Sequence, residues 1–453
     1  MTLRILLLLL LVVYFGDVFG QKVVRDGDME LSLVHVVWRH GDRSPIVTFN
    51  SDPFQEDYWK FGGGGWGQLS PLGMKQHLNL GKLLRNRYVD IQNSTYSLLP
   101  AVYSSKAIYV RSTDLNRTLI SATANLLGMY GQNEYGSIGG FDYPEVEGWP
   151  KGFIPMPIHT VDYDTDYIGN MDCDCPRRTW LWNMVKQSDF IQSWLQLPNV
   201  SYVLNTTRAL INQNAELEDF WVVPDALYIE QIHYNETLRQ LNTWYSDEFY
   251  DQMTVVNDQI YLFQYGVFDG QKIEMQNMDM GRELLKIRAG SLMNDISDRI
   301  ALKSSCQYIN SSSKHCKWIN ELKYYTYSAH DETIYSVLVA LGIQEYTIKP
   351  HGYPLYAAAV IIEFWRNTTS NSDYFKVLYH AQDGDGINVF TSNIPGCSSD
   401  YCSIDVLNNV SMYLKPDKPM TEWCTVVDNN NNQSIISYFI TVVFVVLVQY
   451  CLN

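Results

Sequence analysis

Leu31-Ser32-Leu33-Val34-His35-Val36-Val37-Trp38-Arg39-His40-Gly41-Asp42-Arg43-Ser44-Pro45 sets a nearly continuous apolar run directly against a basic turn that carries a histidine. Apolar residues without polar alternation, many of them β-branched, read as a strand buried on both faces of a parallel sheet. The pattern recurs twice. Residues 107–110 run into Arg111-Ser112-Thr113-Asp114, after which Leu115, Leu119, Ala122 and Leu126 keep helical spacing. Residues 324–329 hand over at His330-Asp331 to a helix bearing Ile334, Val337, Leu338 and Leu341, with Gly342 placed to stop it. Between the first two strands, Ser70 and Pro71 read as the N-cap and first residue of a helix reaching Tyr88.

Strand, polar hinge and helix in alternation predict an α/β fold, a mainly parallel sheet core flanked by helices. Ligands of such sheets bind beyond the carboxyl ends of the strands, so the three hinges should open into one crevice. Residues 21–145 and 291–427 would form the core in two parts. The Pro-, Trp- and Tyr-rich stretch at 146–290, helix-like at 180–196 and again from 269 to 297, would be an inserted, mostly helical cap domain.

The ends carry different signals. Arg4 and the apolar run that follows it have the layout of a secretory signal peptide over residues 1–20. At the other end (428–453) a polar spacer precedes an apolar stretch of about 14 residues, short against the roughly 20 of a spanning helix. It suits a single-pass membrane segment or a GPI signal, and membrane attachment at the cell surface or a luminal membrane is expected. Nine Asn-x-Ser/Thr sequons (Asn93, Asn116, Asn199, Asn205, Asn235, Asn310, Asn367, Asn409, Asn432) agree with export as a glycoprotein, with Asn116 expected on a buried helix. Export makes disulfides the default for the cysteines outside the tail, with Cys306/Cys316 and Cys397/Cys402 near enough in sequence to staple loops. The formal charge of −16 argues against nucleic acid as a partner.

Arg39-His40-Gly41-Asp42-Arg43 is the sharpest chemical signal. Guanidiniums present a planar fork that matches phosphate oxygens and never lose their charge, so Arg39 and Arg43 would hold an anion beside His40. Their field disfavours imidazolium and keeps His40 nucleophilic. A bare Arg-His pair reads as a solvated turn. The five defined positions of Arg-His-Gly-x-Arg-x-Pro coincide by chance on the order of 10⁻⁴ of the time in a chain this long. Weaker patterns carry nothing: Gly62, Gly64 and Gly67 follow no buried strand, Asp162, Asp164 and Asp166 lack the Gly and Glu of a calcium loop, and Cys173-Asp174-Cys175 has no partner pair. No metal or cofactor is expected. His35 reads as a core histidine with a hydrogen-bond partner.

On these motifs the chain resembles the histidine acid phosphatase family, most similar to its animal prostatic and lysosomal members, over about residues 28 to 425. The resemblance implies the phosphoglycerate-mutase-like histidine phosphatase fold and hydrolysis of small-molecule or peptide phosphate monoesters at acidic pH. It implies His40 as nucleophile forming a phosphohistidine, Asp331 as proton donor, and Arg39, Arg43, Arg111 and His330 as phosphate ligands. A homodimer and lysosomal delivery are implied by the family alone. A phytase-like phosphatase of the same family, or a non-catalytic membrane-attached ectodomain binding phosphorylated ligands, are the alternatives.

Overall fold

The computed structural model describes residues 25–90, 97–131, 135–308, 313–348 and 352–425. The signal peptide, the C-terminal tail and the sequons at Asn93, Asn310 and Asn432 lie outside them. Among the described residues no helix is long and apolar enough to cross a membrane.

The core opens with strand β1 (Met29–Arg39), buried from Leu31 onward as its unbroken apolar run requires. Helix α1 (Pro71–Tyr88) starts at the expected cap, where Ser70 Oγ accepts from the Gly73 N–H. Strand β2 (Ile108–Ser112) and helix α2 (Asn116–Tyr130) follow. The middle of the chain is helical: α3 (Pro176–Lys186), α4 (Asp189–Leu195), α5 (Pro198–Ile211), α6 (Val222–Leu241), α7 (Asp247–Gln264) and α8 (Met280–Leu285). The chain then returns to the core through α9 (Ser291–Tyr308), α10 (Lys314–Glu321), β3 (Tyr324–Ala329), α11 (Asp331–Ala340), β4 (Ala359–Asn367), β5 (Asp373–His380) and α12 (Ile404–Tyr413).

Among the described residues the sheet has eight strands and is mixed, not mainly parallel as expected. Its parallel part is three strands, the predicted ones: Val34 to Arg39 pair with Tyr324 to Ala329, and Ile108 to Ser112 with Tyr324 to Ser328. The remaining pairings are antiparallel, β4 lying against β1 and β5 against β4. Those two strands carry no chemical motif, and sequence reasoning passed over them. Apolar side chains of α1 and α2, such as Leu80, Leu84, Leu126 and Met129, cover one face of the sheet. Leu292, Ile296, Ile319, Ile334, Val337 and Leu407, from α9, α10, α11 and α12, cover the other. The central helices gather around a third cluster, which includes Leu181, Trp194, Val203, Leu227 and Phe263. Phe49, Phe54, Trp59 and Trp423 join it from outside residues 146–290.

Local expectations fared unevenly. The helix expected at 180–196 breaks before Ser188, which caps α4. The one expected from 269 begins only at Met280, because a two-stranded hairpin, Glu274–Met275 with Met278–Asp279, precedes it. Asn116 is exposed, since it is the first residue of α2. Among the described residues both nitrogens of buried His35 lack a hydrogen-bond partner. Both local disulfides form, together with a long-range bridge between Cys175 and Cys424, and Cys173 stays free and buried.

Candidate active site

Parallel pairing brings the three hinges to one sheet edge. Arg39 stands opposite Ala329, the His40 N–H donates to the Ala329 carbonyl at 3.0 Å, and the Thr113 N–H donates to the Ser328 carbonyl at 3.1 Å. Backbone ladders alone therefore place His40, Thr113 and His330 side by side. The rings of His40 and His330 meet edge to face with centroids 5.6 Å apart.

His40 is 2% exposed, and its Nδ1 lies 2.8 Å from the Gly41 carbonyl. A carbonyl only accepts, so Nδ1 carries the proton and the lone pair of neutral His40 is on Nε2. Burial first, then the charges of Arg117, Arg43 and Arg39, hold the imidazole well below its usual pKa. Gly41 serves through space: a Cβ there would stand 2.3 Å from the Gly73 carbonyl oxygen of α1, so the turn seats against that helix only without a side chain.

The predicted cations divide by partner. Fully buried Arg39 donates to the Pro354 carbonyl at 2.7 Å and pairs with Asp331 at 2.9 Å. Arg43 is held by both carboxylate oxygens of Asp225 on α6 at 3.1 Å. Asp42 is pinned by the Ser70 hydroxyl and by His233 of the same helix at 2.7 Å. Arg111 departs from expectation. Its guanidinium pairs with Asp166 at 2.5 Å, and it is not among the residues lining the cavity at the sheet edge. Its strand position alternates it toward the 159–169 segment, where its backbone bridges His159.

Arg117, which the sequence reading did not single out, lines the cavity where Arg111 was expected. It lies in the first turn of α2, lines the cavity with His40, Arg43, His330 and Asp331, and makes no ion pair among the described residues. Its Nε has no hydrogen-bond partner, and burial followed by Arg43 pushes its pKa down to about 10. A cation is unfavourable at a helix N-terminus unless an anion joins it, and this was the signal available in the sequence.

His330 and Asp331 head α11. Thr113 Oγ1 holds His330 Nε2 at 3.0 Å, and burial, then Arg117, lowers that imidazole to a pKa of about 3. Burial raises the Asp331 carboxyl, yet Arg39 and Arg43 outweigh it and keep the group below the usual range. The cavity holds about 400 Å³. Its chemistry is an unprotonated imidazole nitrogen and a carboxyl group beside a guanidinium that makes no ion pair among the described residues, a set that suits an anionic electrophile. Among the described residues no cluster could hold a metal ion.

Comparisons with known proteins bear on the family and the fold. A family model described as histidine phosphatase superfamily (branch 2) matches residues 30–380. The chain is 33% identical to putative acid phosphatase 10 of Caenorhabditis elegans over 89% of its own length and 95% of that protein's. It is 30% identical to lysosomal acid phosphatase of Xenopus laevis, over 82% and 73% respectively. A crystal structure of phytase from Klebsiella sp. ASR1 superposes with a TM-score of 0.57 at 16% identity, covering 86% of this chain and 99% of the phytase, a likeness of fold. With the family model spanning most of the chain and the histidine hinges meeting at one sheet edge, this protein is a member of branch 2 of the histidine phosphatase superfamily.

Proposed function

We propose that the protein hydrolyses phosphate monoesters as an acid phosphatase through a phosphohistidine on His40. The observation that carries this is the unprotonated Nε2 of His40 sharing a cavity with Arg117, a buried cation that makes no ion pair among the described residues. Phosphoryl transfer mainly needs positioning and neutralisation of the equatorial oxygens. Arg117, Arg43 and His330 supply that, while Arg39 orients Asp331. Nε2 attacks phosphorus in line, the N–P bond forms, and the bond to the ester oxygen breaks with its electron pair leaving on oxygen. Asp331 protonates that oxygen, then takes a proton from the water that cleaves the phosphohistidine.

Arg39 and Arg43 hold the Asp331 carboxyl below the usual carboxylate range, so the proton it passes to the leaving group is best brought by the substrate. A phosphate ester with a second pKa of about 6 is a monoanion in acid and brings one. The acidic preference then belongs to the substrate's ionisation and not to a raised carboxyl. The Caenorhabditis acid phosphatases and the lysosomal and prostatic relatives support the reaction class, and with the disulfides they support an oxidising, secretory or lysosomal compartment.

The test is turnover of a chromogenic phosphate ester at about pH 5, with rapid-quench trapping of labelled phosphate on the protein. Wild type should turn over and trap label; His40→Ala should do neither. An inert wild type that still binds phosphate esters would overturn the reading in favour of a phosphate-binding ectodomain.

A further inference from the structure

The cavity that contains His40 has a second basic wall. Between α8 and α9 the chain makes a π-helical turn, Lys286–Gly290, and Arg288 sits within it. Such turns insert an extra residue at a conformational cost and are frequent at functional sites. Arg288 is 7% exposed and lines the cavity, yet among the described residues its Nε and Nη1 have no hydrogen-bond partner. Among the described residues its carboxylate partner is Glu332, 3.8 Å from Nη1, beyond hydrogen-bond reach. The ring of Tyr265 lies 4.6 Å below the guanidinium and orients it. A buried guanidinium with N–H edges unspent is costly unless a ligand completes it.

Arg178 lines the same cavity, donating to the Met171 carbonyl and standing 3.3 Å from Asp172. The two acids nearby do not cancel the two cations. Burial and the Asp172 charge push the Glu332 carboxyl well above its usual pKa, while the bond to Glu332 and the Arg288 charge hold the half-exposed Asp172 below the usual carboxylate range. A carboxyl pushed up beside a like charge takes a proton more readily, so this pair offsets the two guanidiniums less than two separate carboxylates would.

We propose that Arg288 and Arg178 form a second oxyanion subsite, which takes a carboxylate or a second phosphate carried on the leaving group of the substrate. The side follows from the chain: Asp331, the leaving-group acid, is followed by Glu332, the residue that Arg288 faces. Only this assignment of sides rests on the phosphatase reading. Trp182, Thr179 and Gln264 complete the wall with groups suited to the body of a small polar substrate.

Dissociation constants measured by calorimetry on the His40→Ala protein test the subsite without turnover. The paired ligands are 3-phosphoglycerate against glycerol 3-phosphate, for a carboxylate, and fructose 1,6-bisphosphate against fructose 6-phosphate, for a phosphate. In the His40→Ala protein the acidic member of at least one pair should bind about tenfold more tightly, and the pair with the larger ratio identifies the group. Adding Arg288→Gln should bring that ratio close to one. Equal affinities in the His40→Ala protein would overturn the proposal without any second variant. So would a preference that survives both Arg288→Gln and Arg178→Gln. Inertness of wild type toward every ester would instead sink the phosphatase reading and leave these ratios to judge the subsite.

Discussion

The edge of the parallel sheet and the helical layer above it build the same cavity by different means. At the sheet edge the register of β1, β2 and β3 delivers His40, Thr113 and His330 to adjacent positions through backbone hydrogen bonds, and neighbouring turns do the rest. The helical layer contributes through single side chains that reach across: Asp225 to Arg43, and His233 to Asp42. The first arrangement is stiff because every member belongs to a ladder. The second is adjustable, since one side chain can change without disturbing a strand, and its effects should be smaller and more dependent on the ligand.

Each prediction tries to break that contrast. The largest effect belongs to the sheet edge. Asp331→Ala should slow alkyl esters with poor leaving groups by about 10²–10⁴-fold and aryl esters with good ones far less. Equal losses across a leaving-group series would remove Asp331 from the acid role. Next come two arginines, Arg117, which lines the cavity, and Arg111, which does not. Arg117→Ala should cost about 10²–10³-fold in kcat/KM, as expected for removing one donor to a developing anion, whereas Arg111→Ala should cost under about tenfold and act mainly by loosening Asp166. Reversal of that order in steady-state kinetics would restore Arg111 to the site.

A smaller effect is expected from the helical layer. Asp225→Asn keeps the shape of the carboxylate but removes its charge, so Arg43 loses a bidentate partner and KM should rise about tenfold with kcat changed less. If kcat falls as far as it does in Arg117→Ala, the layer is as much a part of the reaction centre as the sheet edge. Last is the form of the pH profile. Unprotonated imidazole is the reactive form, and a depressed pKa extends it downward in pH. With His330 brought to about 3 and His40 also lowered, kcat/KM should still be near its plateau at about pH 4, where an ordinary histidine with a pKa of about 6.5 is almost wholly protonated. Activity should decline above the second ionisation of the ester, about pH 6. An acid limb centred near 6.5 would show that the guanidiniums do not act on His40 as described.

Much of the fold and part of the site were legible along the chain, for reasons tied to particular residues. The Ser70-Pro71 cap, the Tyr324–Ala329 strand and the stop at Gly342 are local signals, and each was found where read; Gly342 has a φ of +69°, the left-handed region that favours glycine. Strands β4 and β5 had equally apolar sequences but no hinge chemistry to draw attention to them. Arg111 was preferred to Arg117 because it ends a strand, as Arg39 does. Alternation along β2 sends it instead to Asp166, whose acidic run had been weighed only as a calcium loop.

Caps, breakers and apolar runs act over a few neighbours, so the order of elements and the identity of the hinge residues could be read along the chain. Charge balance within the cavity, which guanidiniums meet carboxylates and which do not among the described residues, came only with packing. Arg43 and Asp225 are 182 residues apart and Arg111 and Asp166 are 55 apart, so no local pattern relates them. Electrostatic partnership depends on distance through space, and that distance exists only once the sheet and the helical layer have packed together.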